Sequence, residues 1–153
     1  AEEGFDAFLG RIEPEAMSWA EMVARFRAAV PDCDVTVWCD EDTPLIWPEV
    51  LGALSADPAP ETLDGVEEFP EGLLAPDGLS RMRRYLADNP PKSAEHRRKV
   101  LAAFLDRFAR PEAVEVAFDL PGWSADRVAR LTAAYEADIA RVAAMPGLRF
   151  LAA

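Results

Sequence analysis

An acidic corner formed by Asp40, Glu41 and Asp42 interrupts the stretch VTVWCDEDTPLIWPEVL, which runs from Val35 to Leu51. Apolar residues alternate before the corner and recur every three or four positions after it, which is typical of a strand that leads into a helix. Carboxylates at the carboxyl end of a strand could ligate a metal or act as a general base. Acids ahead of a helix also offset its macrodipole and cap its first turn, and we favour this structural interpretation.

A basic island lies between residues 81 and 110, where nine cationic side chains accompany only three acidic ones. The chain as a whole is strongly acidic, because its formal net charge is −12. Arginine suits a bidentate grip on sulfate or phosphate, so Arg81, Arg84 and Arg97 are the candidate anion-binding residues. Off the apolar stripe, however, a charge run favours a solvated helix face or salt bridges with the acidic first half of the chain over anion binding.

Other reactive side chains are few. His96 is the only histidine, and we expect a partly buried or solvent-edge side chain there. Cys33 and Cys39 lie on one extended segment, roughly 20 Å apart at about 3.3 Å per residue, which is too far for a disulfide. Their spacing does not match a structural zinc site, and the sequence contains no Gly-rich phosphate loop. We therefore predict no metal site, and the catalytic residues, if any, stay unknown.

The net charge of −12 argues against nucleic acid or an anionic membrane as a partner, since both attract positive surfaces. No apolar run approaches the roughly 18 to 20 residues that span a bilayer. Two unpaired thiols suit a reducing compartment. We therefore expect a cytoplasmic protein.

Apolar spacing and capping residues predict about five or six helices to position these side chains. Pro48 is tolerable only in the first turn of its helix. Residues 56–78 are rich in Pro, Gly and acids, and we expect one long loop there. Three of the apolar stripes are expected to share one core. The predicted helices cover about 1–12, 18–30, 47–54, 79–88, 93–110 and 124–145.

The strand is predicted at about 34–39, with both faces buried. A lone buried strand would leave its backbone groups unpaired, so it needs neighbours. The chain offers the tail Leu148–Leu151 and the run 114–120, which could equally start a helical turn. The predicted fold class is α/β and predominantly helical, with most partner strands outside this chain. The alternative is a mainly helical domain with a two- or three-stranded element.

The opening segment, extended to VTVWCDEDTPLIWPEVLGAL, resembles the part of P-loop sulfotransferases where a strand ends in a Tyr-Glu-Asp type motif before a helix. Glu41 and Asp42 match the acidic pair, and Asp40 stands where the family has Tyr. The stretch LPGWSADRVARLTAAYEADIARVAAMPGLRFL is similar to the C-terminal region of bacterial sulfotransferase-like proteins. The length of residues 1–153 predicts a single domain, whereas the resemblance implies the C-terminal half of a three-layer P-loop-like fold.

An intact parent of that family would transfer a sulfuryl group from a phosphosulfate nucleotide donor. Its phosphate loop and catalytic base would precede Ala1, and its Gly-containing motif for the donor's 3′-phosphate has no counterpart here. No catalytic residue is therefore transferred, and we expect this chain alone to be inactive, with the missing N-terminal half or another copy of the chain as its partner. A stand-alone helical interaction module without enzymatic activity is the alternative.

Overall fold

The computed structural model describes residues 14–55, 59, 62–114 and 123–153. Within these residues the protein is predominantly helical, with a small two-stranded parallel sheet. The predicted helix over 1–12 and residues 115–120 of the ambiguous run lie outside the described residues. The helices are α1 (Trp19–Ala29), α2 (Thr43–Ser55), α3 (Glu68–Leu73), α4 (Pro76–Asp88), α5 (Ala94–Phe108), α6 (Pro111–Val114) and α7 (Ala125–Ala143), and the strands are β1 (Thr36–Trp38) and β2 (Arg149–Leu151).

Serine caps fix the starts of the three longest predicted helices. Ser18, Ser93 and Ser124 immediately precede α1, α5 and α7. Each hydroxyl oxygen accepts a hydrogen bond from the backbone N–H three residues ahead, at 3.1, 3.1 and 3.3 Å respectively. These contacts satisfy donors that a helix leaves unpaired at its N-terminus. The predicted starts of the three helices are confirmed.

The predicted strand is shorter and less buried than expected. It spans three residues, all half-buried, and pairs with β2. The backbone N–H of Arg149 donates to the Val35 carbonyl at 3.0 Å. The tail was one of the two expected neighbours, and that expectation is confirmed. We expected a strand buried on both faces. Among the described residues that expectation is wrong, because β1 is half-buried and lies in a sheet of only two strands.

The chain divides into two compact units. Unit 1 comprises residues 1–35 and 117–150, and includes α1 and α7; unit 2 comprises residues 36–116 and 151–153, and includes α2 to α6. The apolar stripes of α1 and α7 belong to unit 1 and that of α5 to unit 2, and the expectation of one shared core stays a prediction. Whether residues 1–153 make one domain or half of one stays a prediction.

In unit 1, α1 packs against α7 through Ala20 and Val23 and not through its largest apolar side chains. At 100° per residue, Val23 lies roughly 40° from the centre of the predicted stripe and Ala20 lies roughly 100° from it, so the buried face is turned to one side of the stripe. The side chains left exposed, called the α1 stripe below, are Trp19 (52%), Met22 (44%), Phe26 (53%) and Val30 (39%).

Unit 2 has two apolar clusters. One joins Ile46 and Val50 of α2 to Leu151 of β2. The other joins Leu74 with Met82 of α4 and Leu101 of α5. Both clusters recruit Leu45, so α2 contributes to each of them.

Helix α2 contradicts the expectation for Pro48. The helix begins at Thr43, so Pro48 lies in its interior. Proline lacks the N–H that would reach the carbonyl four residues back. Pro48 is itself buried, as are Ile46 and Val50 on the same helix. Tertiary burial therefore overrides the local preference for the first turn.

The segment 56–78 is not one long loop, because α3 and the start of α4 lie within it. Pro70 falls in the first turn of α3 and Pro76 begins α4, which are the helical positions that tolerate proline. Helix α3 has only six residues, too few for a readable apolar period. A tertiary contact stabilises α3, because Phe69 packs edge-on against Trp47 of α2 with ring centroids 5.0 Å apart.

Candidate anion-binding groove

Part of the basic island is committed to contacts inside unit 2. Arg83 of α4 donates to Glu67 at 2.8 Å and also contacts Glu71, and both carboxylates raise the pKa of Arg83. Arg98 of α5 donates to Glu49 of α2 at 2.7 Å, with both side chains mostly buried. These arginines join neighbouring elements, and their preferred partners are carboxylates of the chain itself.

Three other arginines line a cavity of about 520 Å³ between α4 and α5. Arg81 and Arg84 come from α4, and Arg107 comes from α5. We call this cavity the arginine groove. Three aromatic side chains form its apolar part, and these are Tyr85, Phe104 and Phe108.

The arginines of the groove are only lightly paired. The Nε atoms of Arg81 and Arg84 lie 3.9 Å from carboxylate oxygens of Asp77 and Asp88, each four residues away on α4. The guanidiniums of Arg81 and Arg107 lie 5.6 and 5.5 Å from the centroid of the Phe108 ring. Asp88 is the carboxylate among the lining residues, so the lining carries a net charge of +2.

The structure brings together two of the three predicted anion-binding residues. Arg97 lies elsewhere, in a second cavity of about 430 Å³ that it shares with Lys92 and Leu86. The sequence pattern missed Arg107, although its position three residues after Phe104 and beside Phe108 was a signal. Sequence spacing groups residues along one helix, whereas the groove joins two helices.

The acidic corner has the geometry of a helix start. Residues 40–42 form a 3₁₀ turn that leads directly into α2. The N–H of Asp42 donates to the Cys39 carbonyl at 3.0 Å. The buried Thr43 hydroxyl donates to Asp40 Oδ1 at 3.2 Å. Glu41 is exposed, and Asp42 is half-buried.

Neither His96 nor the two cysteines are among the residues that line the arginine groove. His96 Nδ1 accepts a hydrogen bond from the backbone N–H of Lys92 at 3.3 Å, and the ring is half-buried, as expected. Cys33 is exposed, Cys39 is buried, and both are free thiols. Within the part of the chain that the structure describes, no group of three or more His, Cys, Asp or Glu side chains is placed to hold a metal ion.

Asp138 of α7 is the buried carboxylate that sequence reasoning missed. It accepts hydrogen bonds from the Ser18 hydroxyl at 2.8 Å and from the N–H of Ala20 at 3.2 Å. Burial raises the pKa of Asp138, but the donors from Ser18, Ala20 and Trp19, together with Arg141, outweigh it and lower the pKa overall. The charge lies at the positive N-terminal end of α1, so its role is structural.

Comparison with protein-family models, curated proteins and solved structures found no match for this chain. None of the described helices combines the length and apolar composition that a membrane span needs. Assignment of function therefore depends on the chemistry of the described sites. The arginine groove can bind an anion beside an apolar surface, and its lining includes no Ser, Cys or His that could serve as a nucleophile or base.

Proposed function

We propose that this chain is a non-catalytic binding module and that the arginine groove takes an ester of phosphate or sulfate. One observation carries the proposal: three lightly paired guanidiniums from two helices line one cavity with an apolar aromatic part. Guanidinium groups match the planar, bidentate geometry that phosphate and sulfate oxygens accept. A cavity of about 520 Å³ lies within the usual size range of small-ligand sites.

The affinity should be modest. The side chains of Arg81 and Arg84 are 66% and 87% exposed, so each contact contributes on the order of 1 kcal/mol or less. The net charge of −12 repels an anion at long range. We expect a dissociation constant of roughly millimolar at low ionic strength, weakening as salt is added.

The sulfotransferase resemblance extends the proposal. In that reading the chain is the C-terminal portion of a sulfotransferase-like protein with a three-layer P-loop-like fold, and a phosphosulfate nucleotide is the donor in the intact parent. Residues 36–55 support this resemblance, because a strand is followed there by an acidic turn and then by a helix. Glu41 and Asp42 then start a helix, and the arginine groove supplies contacts to the anion.

Removing the groove cations tests the proposal. We expect a nucleoside 3′,5′-bisphosphate to shift backbone amide NMR signals of α4 and α5. The double substitution Arg84→Ala and Arg107→Ala should weaken binding by roughly tenfold, because two charge-assisted contacts are lost. Arg84→Lys with Arg107→Lys should give an affinity between that of the unmodified chain and that of the double alanine variant, because lysine keeps the charge but lacks the planar guanidinium.

Arg25→Ala with Arg130→Ala is the matched control, because both arginines are exposed in the other unit. This double variant removes two positive charges, as the groove variant does, and neither residue lines the groove. Equal weakening by this control would mean that net charge, and not the groove, governs binding. Absence of any shift in α4 and α5 at millimolar nucleotide would contradict the proposal.

A helical interaction module is the second candidate function, and the α1 stripe favours it. Four large apolar side chains stay exposed along α1 and at its C-cap, and such a patch marks an interaction site. We propose a second copy of the chain as the partner. In a two-fold interface the same patch meets itself, so apolar surface meets apolar surface. Exposed Glu21 and Arg25 flank Met22 and have opposite charges, so antiparallel α1 helices would pair them.

Sedimentation velocity over a range of protein concentrations tests this pairing. We expect a concentration-dependent dimer that the double substitution Trp19→Ser and Phe26→Ser abolishes, because the apolar area at its centre is removed. Leu54→Ser is the control, since Leu54 is 70% exposed on α2 but lies outside the α1 stripe. A monomer at every concentration, or a dimer that survives the double substitution, would refute the proposed dimer through the α1 stripe.

A further inference from the structure

We infer that the arginine groove selects aryl esters of phosphate or sulfate, with the ester's ring held against Tyr85 and Phe104. This inference rests on the proposed function, because it names the class of ligand that the same groove takes. Aliphatic esters would reach the guanidiniums but leave the aromatic surface of the groove unused.

Two aromatic side chains from different helices lie next to each other in the groove. Tyr85 projects from α4 and is 42% exposed, and Phe104 projects from α5. Their ring centroids lie 6.0 Å apart with the ring planes inclined at 56°. A third flat ring can contact one of them by offset stacking and the other edge-on, which are the two favoured geometries of aromatic pairs.

Phe108 has a different role, which is to position the cations. The guanidiniums of Arg81 and Arg107 both lie within 6 Å of its ring centroid, the range of a cation–π contact. Phe108 also packs against Phe104, with centroids 5.9 Å apart and planes inclined at 27°. The aromatic chain from Phe108 through Phe104 to Tyr85 therefore leads from the arginines to the exposed ring.

An aryl ester has a charged end and an apolar ring, and the groove likewise has arginines at one end and aromatic rings at the other. Its anionic group would contact the arginines near Phe108, and its ring would lie over Phe104 and Tyr85. The side-chain amide of Asn89, which also lines the groove, donates one of its two N–H groups to the Tyr85 carbonyl at 3.1 Å. The aromatic contact should raise the affinity for an aryl ester about tenfold over that for an alkyl ester of the same charge.

Phenyl phosphate and methyl phosphate are the probes, titrated into the full chain with backbone amide NMR as the readout. We expect phenyl phosphate to bind about tenfold more tightly, with ring-current shifts on signals of Tyr85 and Phe104. Tyr85→Leu should reduce the ratio of the two affinities to near one, because it weakens the binding of phenyl phosphate much more than that of methyl phosphate. Phe104→Leu should act in the same direction, and unchanged amide spectra elsewhere would show that both variants keep their fold.

Each result has a distinct meaning. Equal affinities for the two esters in the unmodified chain would overturn the aryl selectivity while leaving the anion-binding function in place. If both leucine variants still prefer phenyl phosphate tenfold, the ligand's ring does not lie against Tyr85 and Phe104. Failure of both esters to shift α4 and α5 signals would overturn the proposed function itself.

Discussion

Gly78→Ala should destabilise the protein by about 3 kcal/mol, although replacing a helical glycine with alanine is normally favourable by up to about 1 kcal/mol. Gly78 is buried in α4, which packs against α5. A Cβ atom at this position would lie 2.4 Å from Cβ and 2.7 Å from Cγ of Phe108. Helices α4 and α5 would have to separate, and protein interiors resist such overpacking.

Phe108 has little freedom to move away. The N–H of Ala75 donates to the Phe108 carbonyl at 2.9 Å, and the N–H of Arg110 donates to the Leu73 carbonyl at 2.9 Å. These two bonds tie the end of α5 to the segment just before α4. Truncation of the ring by Phe108→Ala would leave the Cβ contact in place, so we expect it not to restore stability to Gly78→Ala.

Urea unfolding followed by circular dichroism measures this effect, and hydrogen exchange in α4 and α5 locates it. Gly72→Ala is the matched control, because Gly72 lies in α3 with no atom within 4 Å of the position that a Cβ would take. We expect the control to be neutral or slightly stabilising. A Gly78→Ala protein as stable as the control would show that α4 and α5 do not approach as closely as described.

Asp138→Ala should lower the free energy of unfolding by about 2 kcal/mol, because it leaves buried donors at the start of α1 without their acceptor. The Ser18 hydroxyl and the N–H of Ala20 both donate to this carboxylate. Asp138→Asn should cost less, since one acceptor oxygen remains while the charge at the helix N-terminus is lost. Glu136→Gln is the control, as Glu136 is an exposed carboxylate on the same helix.

The pH dependence of stability follows from the lowered pKa of Asp138. The ionised carboxylate is the form that the folded protein favours, so its stabilising effect is fully present above the ordinary carboxyl pKa of about 4. Stability should be lost as the pH falls through the lower pKa of the folded state. The difference in unfolding free energy between the unmodified chain and Asp138→Asn should therefore shrink below about pH 4, and a constant difference down to pH 2 would rule out this role.

Local signals in the sequence predicted the helix starts well. Ser18, Ser93 and Ser124 act on a backbone N–H only three residues away, so their effect does not depend on the rest of the fold. The strand next to the acidic corner and its pairing with the tail were also predictable, because an apolar alternation needs a neighbour. Short or proline-containing elements such as α3 were not, since external packing holds them.

The sequence by itself determined where the three serine-capped helices begin, that helix predominates, and that arginines concentrate between residues 81 and 110. Only the tertiary structure decided that Arg107, and not Arg97, joins Arg81 and Arg84, because that depends on which faces of α4 and α5 meet. It likewise left the α1 stripe exposed and buried Asp138 at the start of α1. Periodicity identifies an apolar face, but contacts between residues distant in sequence determine whether another element covers it.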